Sequence, residues 1–194
     1  MPTATHEIRT DGRILDAAFE AVATHGLSRL TMDDVARLAG LSRQTVYRYF
    51  PSKDTMIIAL VAREEEAFID GVRAANDRHE RLEDVMREAI LFSLETAREH
   101  PLLDRLLASE PEVLLPYLTT RGGRLVARAR AVIEELARGR ADVRPELVHR
   151  TADLAVRAIV SYVITPSEDD PKAIAAETAR VLARALEDGG RRAR

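Results

Sequence analysis

A short basic segment contains the side chains of this sequence that are best suited to contact DNA. From Val35 to Lys53 there is no acidic residue, although the net charge of the chain is −3 and acidic residues flank the segment on both sides. Within the segment, Arg43 has the donors to pair with guanine, and Gln44 has the groups to pair with adenine. A basic island on an acidic protein is the pattern expected of a small DNA-contacting element. In an arginine-rich chain, chance is an equally good explanation of the charge pattern taken alone.

Side chains that could support catalysis or hold a metal ion do not form a recognisable site. The chain contains no cysteine, which excludes disulfides, cysteine-based zinc sites and a thiol nucleophile. Its five histidines are scattered, and no two have the i, i+4 spacing of a helical zinc site. The run from Glu64 to Glu66 points in different directions on a helix, which favours a solvated surface. We therefore predict no enzyme activity, no cofactor and no metal.

The basic segment falls within two short predicted helices joined by a tight turn. Thr31 and Ser42 are suitable N-caps, because their hydroxyls can accept a hydrogen bond from a backbone N–H of the first turn. Gly40 suits the left-handed residue that ends a helix. This spacing predicts a helix-turn-helix, whose second helix enters the major groove. We expect this second helix to bury only Val46 and Phe50 and to present its other side chains to DNA.

Four elements lie at characteristic spacings between residues 10 and 60. They are a helix from Ile14 to Gly26, T-M-D-D-V-A from Thr31, A-G-L-S from Ala39, and T-V-Y-R-Y-F-x-x-K from Thr45 to Lys53. In these elements the chain resembles the TetR family of bacterial transcriptional regulators. The resemblance implies a sequence-specific DNA-binding regulator whose partner is double-stranded operator DNA. Since regulators of this family are usually repressors, it also implies a repressor.

The resemblance also implies two kinds of DNA contact. Phosphates are expected to be contacted by Tyr47 and Lys53, and backbone oxygens at the groove edges by Thr31 and Thr45. Base edges are expected to be reached by Arg43 and Gln44. Either kind of contact is open to Arg48 and Tyr49. The complete predicted set of DNA-binding residues is Thr31, Ser42, Arg43, Gln44, Thr45, Tyr47, Arg48, Tyr49 and Lys53.

Helical periodicity runs through nearly the whole chain, and no segment alternates apolar and polar residues as a strand does. The predicted fold class is all-α: an N-terminal three-helix DNA-binding domain with a helix-turn-helix, plus a larger helical ligand-binding and dimerisation domain (about nine helices). We assign residues 1–55 to the DNA-binding domain and residues 56–194 to the effector-binding and dimerisation domain. No apolar run is long enough to span a membrane, and we expect a cytoplasmic protein without a membrane partner.

Two predicted helices, at residues 146–164 and 171–187, carry apolar residues on more than one side. One face of each helix can pack within its own domain, and the other face needs a second partner. Two such helices from each of two subunits form a four-helix bundle across a twofold axis. We therefore expect a homodimer through these helices, which is also implied by the resemblance. The alternative is that both faces are buried within one chain.

In the TetR family the C-terminal helices enclose a ligand cavity, so the resemblance implies an unknown small-molecule effector. Release of the operator requires that the effector bind the arrangement that does not bind DNA more tightly. The candidate lining side chains, which could instead fill the core, are Phe68, Met86, Phe92, Leu103, Leu106, Leu114, Tyr117, Leu118 and Leu125. Such a pocket is mostly apolar but does not exclude an acidic or coenzyme-A-linked ligand. The alternatives are a DNA-binding dimer without an effector and a helical adaptor that does not bind DNA.

Overall fold

The computed structural model describes residues 4–138 and 144–191, with the side chains of residues 10–138 and 144–186. These residues form ten α-helices, where the sequence predicts about nine, and they contain no β-strand, in agreement with the all-α prediction. In chain order the helices are α1 (Ala4–His25), α2 (Met32–Ala39), α3 (Arg43–Tyr49), α4 (Lys53–Asn76), α5 (Leu82–Glu99), α6 (Pro101–Ser109), α7 (Pro111–Leu118), α8 (Gly123–Ala137), α9 (Pro145–Ile164) and α10 (Pro171–Arg191).

Proline marks the start of both helices that the sequence predicts at the dimer interface. Pro145 and Pro171 are the first residues of α9 and α10, where the missing N–H is not needed because first-turn N–H groups have no partner within the helix. The predicted end of the last helix near residue 187 is wrong, since α10 continues through Gly189 and Gly190 to Arg191. Glycine in a helix costs about 1 kcal/mol relative to alanine and does not by itself end the helix.

The first of two compact units contains residues 1–67 and 101–111. It therefore joins α1, α2, α3 and the first part of α4 with α6. Its buried apolar core is made of Ile14, Leu15, Ala17, Ala18, Ala21, Val22, Leu30, Met32, Val35, Ala36, Ala39, Val46, Met56, Leu60 and Leu102. The helix-turn-helix and α6 thus share one core, although they lie far apart in the sequence.

The second compact unit contains residues 68–100 and 112–194 and has two core clusters. One cluster joins α5 to α9 and α10, with Ile90 and Leu186 among its most buried residues. The other joins the end of α4 to α5 and α8, through residues such as Val72, Val85 and Val132. The compact units divide after Ala67, within α4, whereas the functional boundary predicted at residue 55 stays a prediction. Among the described helices, none combines the length and the apolar character that a membrane crossing requires.

Candidate nucleic-acid interface

Hydrogen bonds hold the turn between α2 and α3 in one conformation. Gly40 has a φ of 63° and a ψ of 36°, the left-handed conformation that glycine adopts without steric cost. The N–H of Leu41 donates to the carbonyl of Ala36 over 2.9 Å. The guanidinium of Arg13, from α1, donates to the carbonyl of Ala39 over 2.6 Å. These bonds satisfy carbonyls at the end of α2 and so stabilise the direction in which α3 leaves the turn.

Both helices of the motif begin at the predicted N-caps. The hydroxyl of Thr31 accepts a hydrogen bond from the N–H of Asp34 over 3.1 Å. The hydroxyl of Ser42 accepts one from the N–H of Thr45, also over 3.1 Å. Each cap satisfies an N–H of the first turn that has no partner within the helix, so the predicted caps are confirmed.

A small network at the start of α2 keeps the carboxylate of Asp34 ionised. The Thr31 hydroxyl donates to this carboxylate over 2.6 Å, and the Arg37 guanidinium donates to it over 3.0 Å. The hydrogen bonds from Thr31 and then from Arg37 lower the pKa of Asp34 below its ordinary value of 3.8. Negative charge is favourable at this position because it lies beside the N-terminus of a helix.

The recognition helix α3 has one buried side and one exposed side. Val46 is fully buried, and Phe50, the C-cap residue, packs partly buried against the same core. The side chain of Thr45 is half-buried. The exposed side chains at and within the helix are Ser42, Arg43, Gln44, Tyr47 and Arg48. The helix therefore presents to solvent most of the residues that the sequence predicts to contact DNA.

Tyr49 is an exception to the predicted outward face. Its side chain is half-buried and packs against the core of the first unit. The physical reason is helical spacing, since Tyr49 follows Val46 by three residues and lies on the same side of the helix. The guanidinium carbon of Arg48 is 5.4 Å from the centre of the Tyr49 ring, a cation–π distance. The inward-facing ring thus supports an exposed arginine.

Arg43 has two partners on the surface of the motif. Its guanidinium is 2.9 Å from the carboxylate of Asp33 in α2, and the guanidinium carbon is 5.4 Å from the centre of the Tyr47 ring. Interaction with the Tyr47 side chain and then with the charge of Asp33 raises the pKa of Arg43 above its ordinary value. The guanidinium is therefore charged, exposed and held beside a second predicted DNA-contacting residue.

Lys53, the first residue of α4, has an internal partner that the sequence does not predict. Its side chain is half-buried, and its Nζ donates to the carbonyl of Leu27, in the loop between α1 and α2, over 2.8 Å. An ammonium group has three N–H donors, so this bond leaves two for another acceptor. The internal contact is compatible with the predicted phosphate contact.

Comparisons with known proteins agree with this geometry over both parts of the chain. A family profile described as "Bacterial regulatory proteins, tetR family" matches residues 14–60. A second profile, "Bacterial Tetracyclin repressor, C-terminal domain", matches residues 82–184. The chain belongs to the TetR family. It is therefore a DNA-binding transcriptional regulator, and such regulators are not enzymes.

Two relatives in the TetR family extend over most of the chain. The HTH-type transcriptional regulator AlkX of Mycobacterium tuberculosis is 31% identical over 175 residues, which cover 87% of this chain and 81% of the relative. The TetR family repressor AlkX of Dietzia sp., implicated in biodegradation of n-alkanes, has a TM-score of 0.71 at 27% identity, covering 92% of this chain and 98% of that one. The fatty acid degradation regulator FadR of Bacillus halodurans shares the fold, with a TM-score of 0.58 at 17% identity over 90% of this chain and 94% of that one.

TetR-family regulators act as dimers, and the described part of this one has exposed apolar side chains on α9 and α10. Leu154 of α9 is 60% exposed, and Val181 of α10 is 58% exposed. The opposite sides of the same helices pack into the core of the second unit, through Ala155 and Leu182. Both helices thus have the two apolar sides that the sequence predicts.

The second unit of this TetR-family chain contains a cavity of about 10 Å³ between α5, α8 and α9. This volume accommodates about one water molecule. The lining is entirely apolar and consists of Leu82, Val85, Met86, Ala89, Ile90, Ile133, Leu136, Ala155 and Ile159. Any larger ligand would have to displace these side chains.

The side chains predicted to line a ligand pocket lie in several places, and only Met86 is part of this cavity. Phe68 and Phe92 pack against a neighbouring core cluster of the second unit, with ring centres 5.9 Å apart. Leu103 and Leu106 belong to α6 in the first unit. The remaining four lie on α7 and α8, where Tyr117 is exposed and the half-buried residues are Leu114, Leu118 and Leu125.

Sequence reasoning missed the side chains that support the DNA-reading surface. Arg13 holds the turn, Asp33 pairs with Arg43, and Glu110 of the first unit binds the loop before α2. Arg13 and Glu110 lie far in the sequence from the groups they bind, so no local pattern identifies them. Asp33 is close to Arg43 in the sequence, but there it was only one of the acidic residues that flank the basic segment.

Proposed function

We propose that this chain is a homodimeric repressor that binds operator DNA through α3 and leaves it when a small-molecule effector binds. The observation that carries the DNA-reading part is the exposed side of α3, where polar and basic side chains lie opposite the fully buried Val46. A short helix with this pattern fits the major groove as the second helix of a helix-turn-helix. In this proposal residues 1–55 read DNA and residues 56–194 bind the effector and dimerise.

Within the interface, Arg43 and Gln44 reach base edges, because they are exposed at the start of α3 and have bidentate hydrogen-bonding groups. Phosphates and groove-edge oxygens are contacted by Tyr47, Lys53, Thr31 and Thr45, with further contacts from Ser42, Arg48 and Tyr49. Tyr49 is half-buried against the core of the first unit, so only the exposed part of its side chain is available for DNA contact.

Dimerisation through α9 and α10 sets the spacing between the two recognition helices of the dimer. The exposed side chains of Leu154 and Val181 support this arrangement, because isolated apolar faces on two adjacent helices are stabilised by a second copy. A twofold dimer reads two half-sites, so its operator is an inverted repeat.

We propose an aliphatic effector for the second unit. The cavity beside α5 has no polar side chain in its lining, and the AlkX repressor of Dietzia sp., 27% identical, is implicated in biodegradation of n-alkanes. An apolar chain would enlarge the cavity and stabilise an arrangement with lower affinity for the operator, as a population shift requires. Met86 of the predicted lining set borders this cavity, and Phe68 and Phe92 of the same unit remain candidates for the wall of the enlarged pocket.

A DNA-binding dimer without an effector is the second candidate function. The observation that favours it is the volume of the cavity, about 10 Å³, which no effector can occupy without rearrangement. The two candidates share the same DNA chemistry and differ only in their response to small molecules.

One experiment tests the proposal and separates the candidates. The purified chain is used to select duplexes from a randomised library, and the selected duplex is then titrated in a shift assay with dodecane, dodecanoate or, as an aromatic control, naphthalene. Repressor action predicts selection of an inverted repeat and release by an aliphatic compound but not by naphthalene. Selection without release by either aliphatic compound would favour the dimer without such an effector, and failure to select any duplex would refute the DNA-reading proposal.

A further inference from the structure

Glu110 is a carboxylate in an unusual position. It directly follows α6, belongs to the same compact unit as the helix-turn-helix, and is only 8% exposed. Among the described residues, no basic side chain forms an ion pair with it. A buried charge is costly unless hydrogen bonds stabilise it, so its partners indicate why it is kept.

The partners of Glu110 are in the loop between α1 and α2. Its Oε2 accepts two hydrogen bonds from Ser28, one from the backbone N–H and one from the hydroxyl, each over 2.9 Å. The space is available because Gly26, in the same loop, has no side chain, and a Cβ there would collide with the carboxylate. Gly26 also has a φ of 86°, which disfavours any other residue.

The same loop is held from a second side by Lys53. Its Nζ donates to the carbonyl of Leu27, the residue before Ser28. The loop then leads directly into the Thr31 cap and α2, which packs α3 against the core. Glu110, which follows α6, and Lys53, at the start of α4, therefore hold the backbone from which the helix-turn-helix begins.

We infer that Glu110 is a positioning residue for DNA reading, which holds the loop before α2 through Ser28 and thereby stabilises the arrangement of α2 and α3 that binds the operator. The inference rests on the proposed function.

The test compares Glu110→Ala, Glu110→Gln and Ser28→Ala with Glu112→Ala, which removes an exposed carboxylate two residues away. Affinity is measured for the duplex that the wild-type chain selects, and hydrogen exchange is measured at the Ser28 amide. We expect Glu110→Ala to weaken DNA binding roughly three- to tenfold, as for residues coupled in one hydrogen-bond network. Glu110→Gln should lose less affinity for the duplex than Glu110→Ala, because the amide keeps a hydrogen-bond acceptor, although a neutral acceptor is weaker than a charged one.

Two controls separate positioning from general loss of structure. In the Glu110→Ala background, Ser28→Ala should cause no further loss of affinity. Under conditions in which Glu110→Ala and Glu112→Ala are equally stable, the Ser28 amide should exchange faster in Glu110→Ala. Equal exchange and equal affinity in Glu110→Ala and Glu112→Ala would overturn the inference. Additive effects of Ser28→Ala and Glu110→Ala would do so as well. If the wild-type chain selects no duplex, the proposed function fails, and the exchange comparison still decides whether Glu110 holds the loop.

Discussion

Arg43 and its neighbours show how a DNA-reading side chain is kept ready in the free protein. Its guanidinium is paired with Asp33 and lies near the Tyr47 ring, but all of these groups are at the surface. An exposed ion pair is weak and is easily exchanged for another partner. The arginine is therefore oriented before binding and can release Asp33 when a base or a phosphate replaces it.

Replacement of Asp33 by asparagine tests this exchange. Asp33→Asn removes both the competing partner of Arg43 and a negative charge near the DNA phosphates. We expect roughly two- to fivefold tighter DNA binding at low salt, with a smaller gain at high salt because exposed charges are screened. Fluorescence anisotropy at two salt concentrations measures the effect, with the exposed Asp77→Asn as control. Unchanged or weaker binding by Asp33→Asn would show that the pair does not compete with DNA.

Lys53 offers a matched test of phosphate contact, since Lys172 is the only other lysine in the chain. Lys53→Met should weaken binding to all duplexes alike and lower the slope of log affinity against log salt by about 0.9, the contribution of one phosphate. Lys172→Met should leave the slope unchanged, because Lys172 lies on α10. An unchanged slope in Lys53→Met would assign this side chain to the loop contact with Leu27 alone.

At the scale of the helices, local signals in the sequence were sufficient for the DNA-reading motif. Thr31, Ser42 and Gly40 act within three or four residues of their own positions, so their roles as caps and turn residue could be predicted. The end of α10 could not, because two glycines cost a helix only about 2 kcal/mol and the helix continues through them to Arg191. Tyr49 was predicted to face outward and is half-buried, because it follows Val46 by three residues and lies on the same side of α3.

The Thr31 cap of α2 should make the stability of the fold depend on pH through Asp34. Thr31→Val removes both hydrogen bonds of the hydroxyl, so the pKa of Asp34 should rise towards 3.8 and the free energy of unfolding at pH 7 should fall by about 1 kcal/mol. Because folding lowers the pKa of Asp34, its ionisation stabilises the fold above the unfolded-state pKa. This contribution is lost as the pH falls through the lower, folded-state pKa.

Carboxyl NMR titration and urea unfolding at pH 7 and pH 3 measure these effects, with Thr120→Val in the turn before α8 as control. The stability difference between the wild-type chain and Thr31→Val should be larger at pH 7 than at pH 3. A pKa of Asp34 that stays low in Thr31→Val would contradict the role of the hydroxyl.

For the whole molecule, the sequence predicts the fold class and the two-sided apolar helices but not which distant segments pack together. The assignment of α6 to the unit of the helix-turn-helix depends on Leu102 and Glu110 meeting residues far away in the chain. The cavity is equally non-local, since its lining comes from α5, α8 and α9. Periodicity identifies a buried side of each helix and does not identify its partner.

Dimerisation is the testable property at this scale. Leu154→Glu replaces an exposed apolar side chain of the proposed interface with a charged one, whose burial is costly, and should convert the dimer to a monomer of 21.6 kDa. The matched control is Tyr117→Glu, which alters a side chain of equal 60% exposure on α7. Light scattering after size exclusion measures the mass. A dimer that persists in Leu154→Glu, or a monomeric wild-type chain, would contradict the interface.

Regulation by this protein requires that the exposed side of α3 reads bases. Competition binding against single-base variants of the selected duplex tests it most directly, with Arg43→Ala compared with the exposed Arg124→Ala of α8. If α3 reads bases, Arg43→Ala loses roughly tenfold or more of the discrimination at one base pair in each half-site, and Arg124→Ala loses none. Base preferences that stay intact at every position in Arg43→Ala would contradict the assignment of Arg43 as a base-reading residue.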